Sequence, residues 1–425
     1  MARRIIKRDY YKATAPPFGP NITPYPGEGM TVQRQDLVGY NGDEAVAFAV
    51  KQCKVGVVAA YPITPQTIMV EAFSQYVADG EVDTEFVCVE SEHSAISACV
   101  GSSLVGVRVF TATASQGVAL MHEVLYAASG LRCPIVMAVA NRALSAPINI
   151  HGDHSDMMGS RDCGWIQIYV ENVQEAYDWT IMAFKIAEDP AVQLPVSINL
   201  DGFTLTHSME NLNVMKDDEV AKFLPPRKAY VKLDPDHPIT LGGLALPEYY
   251  FEIKRQQEEA IRMAHKVIES VAEEYCPRAC REYGIIETFM IDDAEAAILT
   301  LGSTAGTARH VARSLRSRGK KVGVIKLWLY RPFPAAEVAA AVSGLKALAV
   351  VERAISFGAP MGAVASDTAV ALRQSDSKVK MLNAICGIGG RDISPDDLED
   401  VFNKALEVGE TGVVKEPVMY VGVRE

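Results

Sequence analysis

The chain has 425 residues, 49% of them hydrophobic, and a formal net charge of −12 at pH 7. This length and composition predict two or three domains with sizeable cores. The acidic charge argues against a nucleic-acid partner, because neutralising phosphates requires a basic surface. The first residues, MARRIIKRDYYK, lack the apolar core of a signal peptide, and no run of about 18 apolar residues is present to enter a membrane. We therefore expect a cytoplasmic protein without membrane insertion.

The eight cysteines are scattered, and only Cys276 and Cys280 lie close together, in the CxxxC spacing of CPRAC. This spacing falls short of the four ligands of a zinc site or an iron–sulfur cluster. It favours reduced, mostly buried thiols. Any iron–sulfur chemistry is therefore expected on another chain.

Residues 1–38 predict an extended, proline-rich arm. Five prolines between positions 16 and 26 prevent a regular helix or a central strand. The arm could be a mobile tail or could lie over a partner subunit. The aromatic residues Tyr10, Tyr11, Phe18 and Tyr25 slightly favour the second interpretation, since a purely solvated tail would not need them.

The pattern then becomes that of a parallel α/β protein. Between residues 39 and 235, apolar runs such as VGVVAAYP and PIVMAVAN alternate with helical segments, which indicates a parallel sheet covered on both faces. Residues 236–289 predict a helical connector with a long helix from Tyr249 to Glu274. The alternation restarts in a second, smaller α/β domain at 290–412, where VGVIKLWLY predicts one strand, and residues 413–425 predict a C-terminal tail.

Four polar segments follow apolar strands between residues 61 and 156. They are YPITP, VESEHSA, TATASQG and NRALSAPINIHGDHSD. The carboxyl ends of parallel strands meet at one edge of the sheet, and ligands bind there. The sequence therefore predicts one site built from several loops.

Three residues of these loops are candidates for the site. Glu92 follows Ser91, the expected helix cap, and an isolated glutamate there would simply favour the helix N-terminus; the other three loops favour a functional role. Arg142 follows a buried strand and could hold a carboxylate bidentately or form a structural salt bridge. Thr64, between two prolines, could offer its hydroxyl or be a plain turn residue.

The HGDHSD segment, from His151 to Asp156, contains ligand types for zinc or another divalent ion. Three or four ligands within six residues seldom close a tetrahedron, so we favour helix capping and mutual hydrogen bonds over a metal site. GSTAGT and CGIGGRD do not match the dinucleotide fingerprint and predict tight turns at a sheet edge or a subunit contact.

The combination of YPITP, the Ser91–Glu92 pair, TASQG and RxLSxxxxIxGDHxD, in this order, resembles the alpha subunit of the 2-oxoacid:acceptor (ferredoxin) oxidoreductases, such as pyruvate:ferredoxin oxidoreductase. The resemblance covers roughly residues 39 to 412 and includes RPFP and GIGGRD in the second domain. It implies a parallel-sheet α/β domain of the type that binds the pyrimidine of thiamine diphosphate. A smaller α/β domain like the C-terminal domain of transketolase would follow.

The resemblance also implies a function: oxidative decarboxylation of a 2-oxo acid to acyl-CoA and CO2, with coenzyme A as co-substrate. Thiamine diphosphate would be shared with a beta subunit that binds the diphosphate and Mg2+. Gamma- and delta-type subunits and ferredoxin, or another low-potential acceptor, would complete the system, with iron–sulfur clusters on the partners. Glu92 would hydrogen-bond the aminopyrimidine ring nitrogen, and Thr64 and Arg142 would hold the substrate carboxylate.

Pyruvate is the favoured substrate. His151 and Gly152 stand where many pyruvate-specific relatives have a bulkier aromatic residue and an asparagine. The smaller Gly152 could open space for phenylglyoxylate or 2-oxoisovalerate, or the difference could be neutral. Two alternatives come from other classes: a metal-dependent hydrolase using HGDHSD, and a non-catalytic scaffold subunit.

Overall fold

Two seven-stranded sheets organise the residues that the computed structural model describes, which are 5–7 and 35–424. The strands, in chain order, are β1 (Ile6–Lys7), β2 (Asp36–Tyr40), β3 (Val57–Ala60), β4 (Glu85–Cys88), β5 (Val109–Thr113), β6 (Ile135–Asn141), β7 (Ile166–Tyr169), β8 (Val196–Asp201), β9 (Glu210–Val214), β10 (Ile286–Phe289), β11 (Ala296–Leu301), β12 (Val322–Leu327), β13 (Leu329–Arg331), β14 (Ala347–Glu352), β15 (Lys380–Ile385) and β16 (Val418–Tyr420). The helices are α1 (Gly42–Gln52), α2 (Thr67–Ala78), α3 (Glu92–Leu104), α4 (Gln116–Gly130), α5 (Ser155–Gly159), α6 (Val173–Glu188), α7 (Asp217–Phe223), α8 (Pro247–Ala279), α9 (Thr304–Ser317), α10 (Ala335–Ala341), α11 (Ala363–Gln374) and α12 (Pro395–Thr411).

The first sheet has the strand order β13–β7–β8–β6–β5–β3–β4, and its strands are parallel except β13. Alternate residues of β6 enter different cores: Val136 and Ala138 pack in the core with α1 and α6, and Met137 and Val139 in the core with α3 and α4. Burial on both faces explains the continuous apolar strands and confirms the predicted parallel α/β sheet.

The second sheet has the order β1–β10–β12–β11–β14–β15–β16. Its strands are parallel except for the β10–β12 pair. The prediction of a single strand over VGVIKLWLY was wrong. The chain changes sheets at the buried Trp328. Its backbone N–H donates to the Ile285 carbonyl and its carbonyl accepts the Tyr169 backbone N–H, so β12 belongs to the second sheet and β13 to the first.

The segments predicted outside the two α/β domains supply further elements. Most of the predicted arm, residues 8–34, lies outside the described residues; on either side of it, β1 joins the second sheet and β2 pairs with β9. Helix α8 is longer than the predicted connector helix and buries Ala260, Ala264 and Ile268. Strand β16 lies within the predicted tail and pairs with β15. In the described part of the chain, no helix has the length and apolar character needed to cross a membrane.

The carboxyl edges of the two sheets face each other, and this arrangement positions the site. Ser303, after β11, donates its backbone N–H to Asp201 at 2.7 Å. Asn149, after β6, donates from Nδ2 to the Gly389 carbonyl at 2.9 Å. The GSTAGT and CGIGGRD turns therefore lie at a sheet edge, as predicted, and contact the first domain.

Candidate functional site

Four neighbouring strands, β6, β5, β3 and β4, end in the four polar segments singled out in the sequence. The site is therefore one continuous edge. Gln66 fixes the YPITP loop there, because its Nε2 donates to the Tyr61 and Ala112 carbonyls, both at 3.0 Å.

Glu92 begins α3, and the Ser91 hydroxyl caps this helix by accepting the Ser94 N–H at 3.3 Å. The Glu92 side chain is 7% exposed, and no hydrogen bond or ion pair joins its carboxylate to another described residue. A Cβ at Gly117 would lie 2.8 Å from Glu92 Oε1 and 2.2 Å from Thr113 Oγ1. Glycine is therefore needed at 117, because the Glu92 carboxylate and the Thr113 hydroxyl already lie against the first turn of α4.

Thr113, at the end of β5, lies next to Gly117, and Thr111 lies two residues earlier on the same face of this strand. Both are buried, and neither hydroxyl has a hydrogen-bond partner among the described residues. Buried polar groups normally have partners, so these two hydroxyls and the Glu92 carboxylate together indicate that polar groups of a ligand or of water belong here.

Arg142 directly follows β6 and is 6% exposed. Its Nε donates to the Asn149 carbonyl at 3.0 Å and its Nη1 to the Thr64 carbonyl at 2.9 Å. No carboxylate of a described residue forms an ion pair with the guanidinium, so the structural salt bridge considered from the sequence is not found in that part of the chain. Burial lowers the pKa of Arg142, and the nearby Asp156 opposes this shift.

Thr64 is exposed, and its contact with Arg142 is made by the backbone carbonyl, which leaves the hydroxyl available. Thr64 and Arg142 are thus brought together directly. Glu92 is connected to them indirectly. Its carboxylate lies against Gly117, and Ser115, two residues before Gly117, donates its hydroxyl to the carbonyl of Ala143, the residue after Arg142, at 2.5 Å.

The acidic and histidine side chains of HGDHSD have separate partners. Asp153 accepts the Ser155 N–H at 3.0 Å and the Gly389 N–H at 3.0 Å, and His154 Nε2 lies 2.6 Å from Asp201 Oδ1. Within residues 5–7 and 35–424, no three His, Cys, Asp or Glu side chains are grouped as a metal ion would require. The N-cap residue His154 makes no side-chain cap bond to α5; instead, Asp153 accepts the first N–H of α5 and bonds to the second domain, and His154 bonds to Asp201.

The suggestion that Gly152 opens space for a larger substrate was wrong. A Cβ at this position would lie 2.6 Å from the Gly202 carbonyl oxygen and 3.0 Å from the Gly202 nitrogen. Glycine is needed at 152 because two backbone segments touch, and that side of the residue is already filled.

Comparisons with known proteins agree with this architecture. The model "Pyruvate flavodoxin/ferredoxin oxidoreductase, thiamine diP-bdg" matches residues 48–273, and "Pyruvate:ferredoxin oxidoreductase core domain II" matches residues 294–398. The pyruvate synthase subunit PorA of Thermotoga maritima is 46% identical over 391 residues, which cover 92% of this chain and 99% of the relative. The chain belongs to the pyruvate flavodoxin/ferredoxin oxidoreductase family.

Another relative of this family is the ketoisovalerate oxidoreductase subunit VorA of Pyrococcus abyssi, 42% identical over 374 residues, or 88% of this chain and 94% of the relative. Among solved structures, a 2-oxoglutarate:ferredoxin oxidoreductase from Magnetococcus marinus has a TM-score of 0.70 at 21% identity, over 88% of this chain and 66% of that chain. A split-gene transketolase has a TM-score of 0.51 at 13% identity, over 88% of this chain and 100% of that chain. The two structures support the fold, and the predicted family and fold class are confirmed.

In this family member, two residues that position the site were missed from the sequence. Asp201 ends β8, and the strand-end rule that selected Arg142 would have found it. Asn149 gave no signal, because its contacts are to the Arg142 side chain and to a turn 240 residues later.

Proposed function

We propose that this chain is the catalytic alpha subunit of a thiamine diphosphate-dependent 2-oxoacid oxidoreductase, acting on pyruvate. The products would be acetyl-CoA, CO2 and reducing equivalents. The observation that carries the proposal is a buried guanidinium and a buried carboxylate, on one sheet edge, neither of which forms an ion pair within the described chain. The match to a thiamine diphosphate-binding family model and the pyruvate synthase relatives support it.

The residues around Glu92 fit the aminopyrimidine half of the cofactor. Thr113 offers an unpartnered hydroxyl, and Gly117 allows the first turn of α4 to lie directly against that hydroxyl and the Glu92 carboxylate. When bound, thiamine diphosphate supplies the nucleophile and electron sink for decarboxylation of a 2-oxo acid. Glu92 would hold a proton at the aminopyrimidine ring nitrogen and so act as the acid–base group.

Arg142 and Thr64 would bind and orient the substrate. Two backbone carbonyls fix one side of the guanidinium, and the remaining N–H groups can hold a carboxylate. Thr64, whose carbonyl accepts from Arg142, would add its hydroxyl as a further donor. Orienting the carboxylate places the adjacent carbonyl carbon for attack, which accounts for much of the rate that enzymes gain from positioning.

The proposed reaction requires partner subunits that bind the rest of the cofactor and carry the electrons. We propose that a beta subunit binds the diphosphate and Mg2+ and closes the exposed edge at Thr64 and Tyr61. Iron–sulfur clusters on partner subunits, including gamma- and delta-type subunits, would pass electrons to ferredoxin or another low-potential acceptor. Coenzyme A would receive the acyl group, and a cytoplasmic location remains our prediction.

Two observations place pyruvate ahead of a branched-chain acid. The PorA relatives named above and from Pyrococcus abyssi are 46% and 47% identical, against 42% for VorA. The filled space beside Gly152 also removes the argument for a larger substrate pocket there. The VorA relative keeps 2-oxoisovalerate as the second candidate.

The test is an assay of the complex purified through this chain, with thiamine diphosphate, coenzyme A and a low-potential dye. The acids are pyruvate, 2-oxoisovalerate, phenylglyoxylate, 2-oxoglutarate and oxalate, and the control omits coenzyme A. We expect the highest kcat/KM with pyruvate. Preference for 2-oxoisovalerate would change the substrate but keep the chemistry. Inactivity on all five acids, with cofactor bound and partners present, would favour the non-catalytic scaffold.

A further inference from the structure

We propose that Asp156 is a positioning residue that holds the Glu92 pocket and the Arg142 guanidinium in fixed relation, an inference that rests on the proposed function. Asp156 is 2% exposed, and its carboxylate accepts four hydrogen bonds. Oδ2 accepts the backbone N–H groups of Arg142 at 2.9 Å and Ser115 at 3.0 Å. Oδ1 accepts Asn141 Nδ2 at 2.8 Å and the Met157 N–H at 2.7 Å.

The Oδ2 contacts join two of the loops that form the site. Arg142 belongs to the loop after β6, and Ser115 belongs to the loop after β5. A single carboxylate oxygen therefore fixes the backbone from which the guanidinium extends and the turn from which α4 begins. A movement of either loop would break a buried hydrogen bond.

Ser115 itself needs this support. Its φ of 50° and ψ of −119° lie in a region that L-residues rarely adopt, at a cost of about 1–3 kcal/mol unless surrounding contacts determine the conformation. The bonds from its N–H to Asp156 and from its hydroxyl to the Ala143 carbonyl are such contacts. Two residues later, the turn presents Gly117 to the Glu92 carboxylate.

Only a carboxylate can accept all four bonds. Aspartate has two oxygens that act purely as acceptors, whereas asparagine has one oxygen and an NH2 group that would face N–H donors. Burial also raises the pKa of Asp156 to about 6, against the hydrogen bonds that lower it. Above about pH 6, the ionised Asp156 carboxylate therefore lowers the stability of the folded protein. A role in the site explains an aspartate at this position better than a contribution to stability.

The first test is Asp156→Asn in the assembled complex. A displacement of about 1 Å in a site can lower the rate about 100-fold, so we expect kcat/KM for pyruvate to fall by up to about 100-fold, mainly through a higher KM. Asp153→Asn is the matched control: it changes a carboxylate that is also 2% exposed and lies in the same segment, but it accepts from Ser155 and Gly389 instead. We expect its KM to stay within about twofold, because the Oδ2 contacts of Asp156 remain.

A second variant covers the case in which Asp156→Asn does not assemble. Asp156→Glu keeps a carboxylate with two acceptor oxygens but lengthens the side chain by one CH2 group, so its oxygens cannot hold the Arg142 and Ser115 N–H groups in their present places. We expect a several-fold rise in KM, because the two loops shift relative to each other.

The outcomes separate this inference from the proposed function. If the wild-type complex oxidises a 2-oxo acid and Asp156→Asn matches it in KM and kcat, only the positioning role is overturned. If Asp156→Asn does not assemble, an unchanged KM in Asp156→Glu overturns it. A wild-type complex inactive on every acid would overturn the proposed function and this inference together.

Discussion

At the junction of the two sheets, Lys326 lies between two carboxylates, whereas the Arg142 guanidinium in the first domain forms no ion pair with a described residue. Lys326 Nζ lies 2.7 Å from Glu171 Oε2 and 2.5 Å from Glu175 Oε1, and Arg309 bridges Glu171 and Glu287. Burial would raise the pKa of Glu171, but Lys326 and Arg309 hold it low. This cluster joins β12 and α9 of the second domain to the first domain.

The presence or absence of an ion pair distinguishes buried charges that stabilise the fold from buried charges that are candidates for binding a ligand. A buried ion pair compensates the loss of solvation within the chain itself. A buried charge that forms no ion pair within the chain has less compensation, and residues of this kind concentrate at functional sites. Arg142 and Glu92 belong to the second kind, so replacing them should affect catalysis, whereas replacing Lys326 should affect stability.

The largest effect is expected for Glu92→Gln. General acid–base groups contribute about 100- to 10,000-fold to rates, so kcat of the complex should fall by that range. The unfolding midpoint should stay unchanged, because the Glu92 carboxylate has no partner in the described chain to lose. The measurements are steady-state kinetics and thermal unfolding.

Glu90→Gln is the control for that change. Glu90 lies two residues earlier, is exposed and bonds to the Ser94 hydroxyl. Its replacement should leave kcat unaltered. Equal kinetics in the Glu92→Gln and wild-type complexes would remove Glu92 from the site.

Lys326→Met should act on stability alone. It leaves the carboxylates of Glu171 and Glu175 buried with less compensation, and breaking a buried pair in this way costs about 3–5 kcal/mol. Denaturant unfolding measures the loss. Adding Glu175→Gln should recover part of it, since burial already raises the pKa of Glu175. A double variant no more stable than Lys326→Met would show that the two groups are not coupled.

Arg142→Gln should mainly raise KM for the 2-oxo acid. The loss of a charged hydrogen bond costs about 1.5–3 kcal/mol, which corresponds to about a 10- to 100-fold lower kcat/KM. Its unfolding free energy should fall by about 1–3 kcal/mol, because the Asn149 and Thr64 carbonyls lose their guanidinium donors. The matched comparison is Arg309→Gln, which should lower stability and leave KM as it is. Unchanged KM in Arg142→Gln would exclude it from substrate binding.

The smallest effect concerns Glu352, a buried carboxylate held by neutral donors. It accepts the Val364 and Ala365 N–H groups at 3.0 and 3.2 Å, yet burial raises its pKa to about 6. Because the folded pKa exceeds the unfolded value, its contribution to stability is greatest in acid and is lost as pH rises through about 6. At about 1.4 kcal/mol per pKa unit, the loss is about 2 kcal/mol.

Glu352→Gln should therefore reduce the dependence of the unfolding free energy on pH between about 4 and 7. Asp156, whose pKa is also raised to about 6, should supply part of the remaining slope. Denaturant titrations at several pH values measure it. A variant that retains the full wild-type slope would show that Glu352 does not titrate in this range.

The strand-end rule could select the candidate site because it depends only on local sequence. Glu92, Arg142 and Thr64 each follow a run of apolar residues, and the four strands concerned are neighbours in the sheet. The same rule could not tell what Asp156 does. From the sequence it was a possible metal ligand, and its partner at Ser115 is 41 residues away.

The sequence alone determined the parallel sheets, the family and the edge that carries the candidate site. Periodicity, strand ends and motif order are properties of neighbouring residues, so they can be read without coordinates. Only the tertiary structure decided that the Arg142 guanidinium forms no ion pair in the described chain, that Gly152 packs against Gly202 and that the chain changes sheets at Trp328. These features arise from contacts between segments far apart in the chain, where hydrogen bonds and close packing, not local preference, fix each side chain.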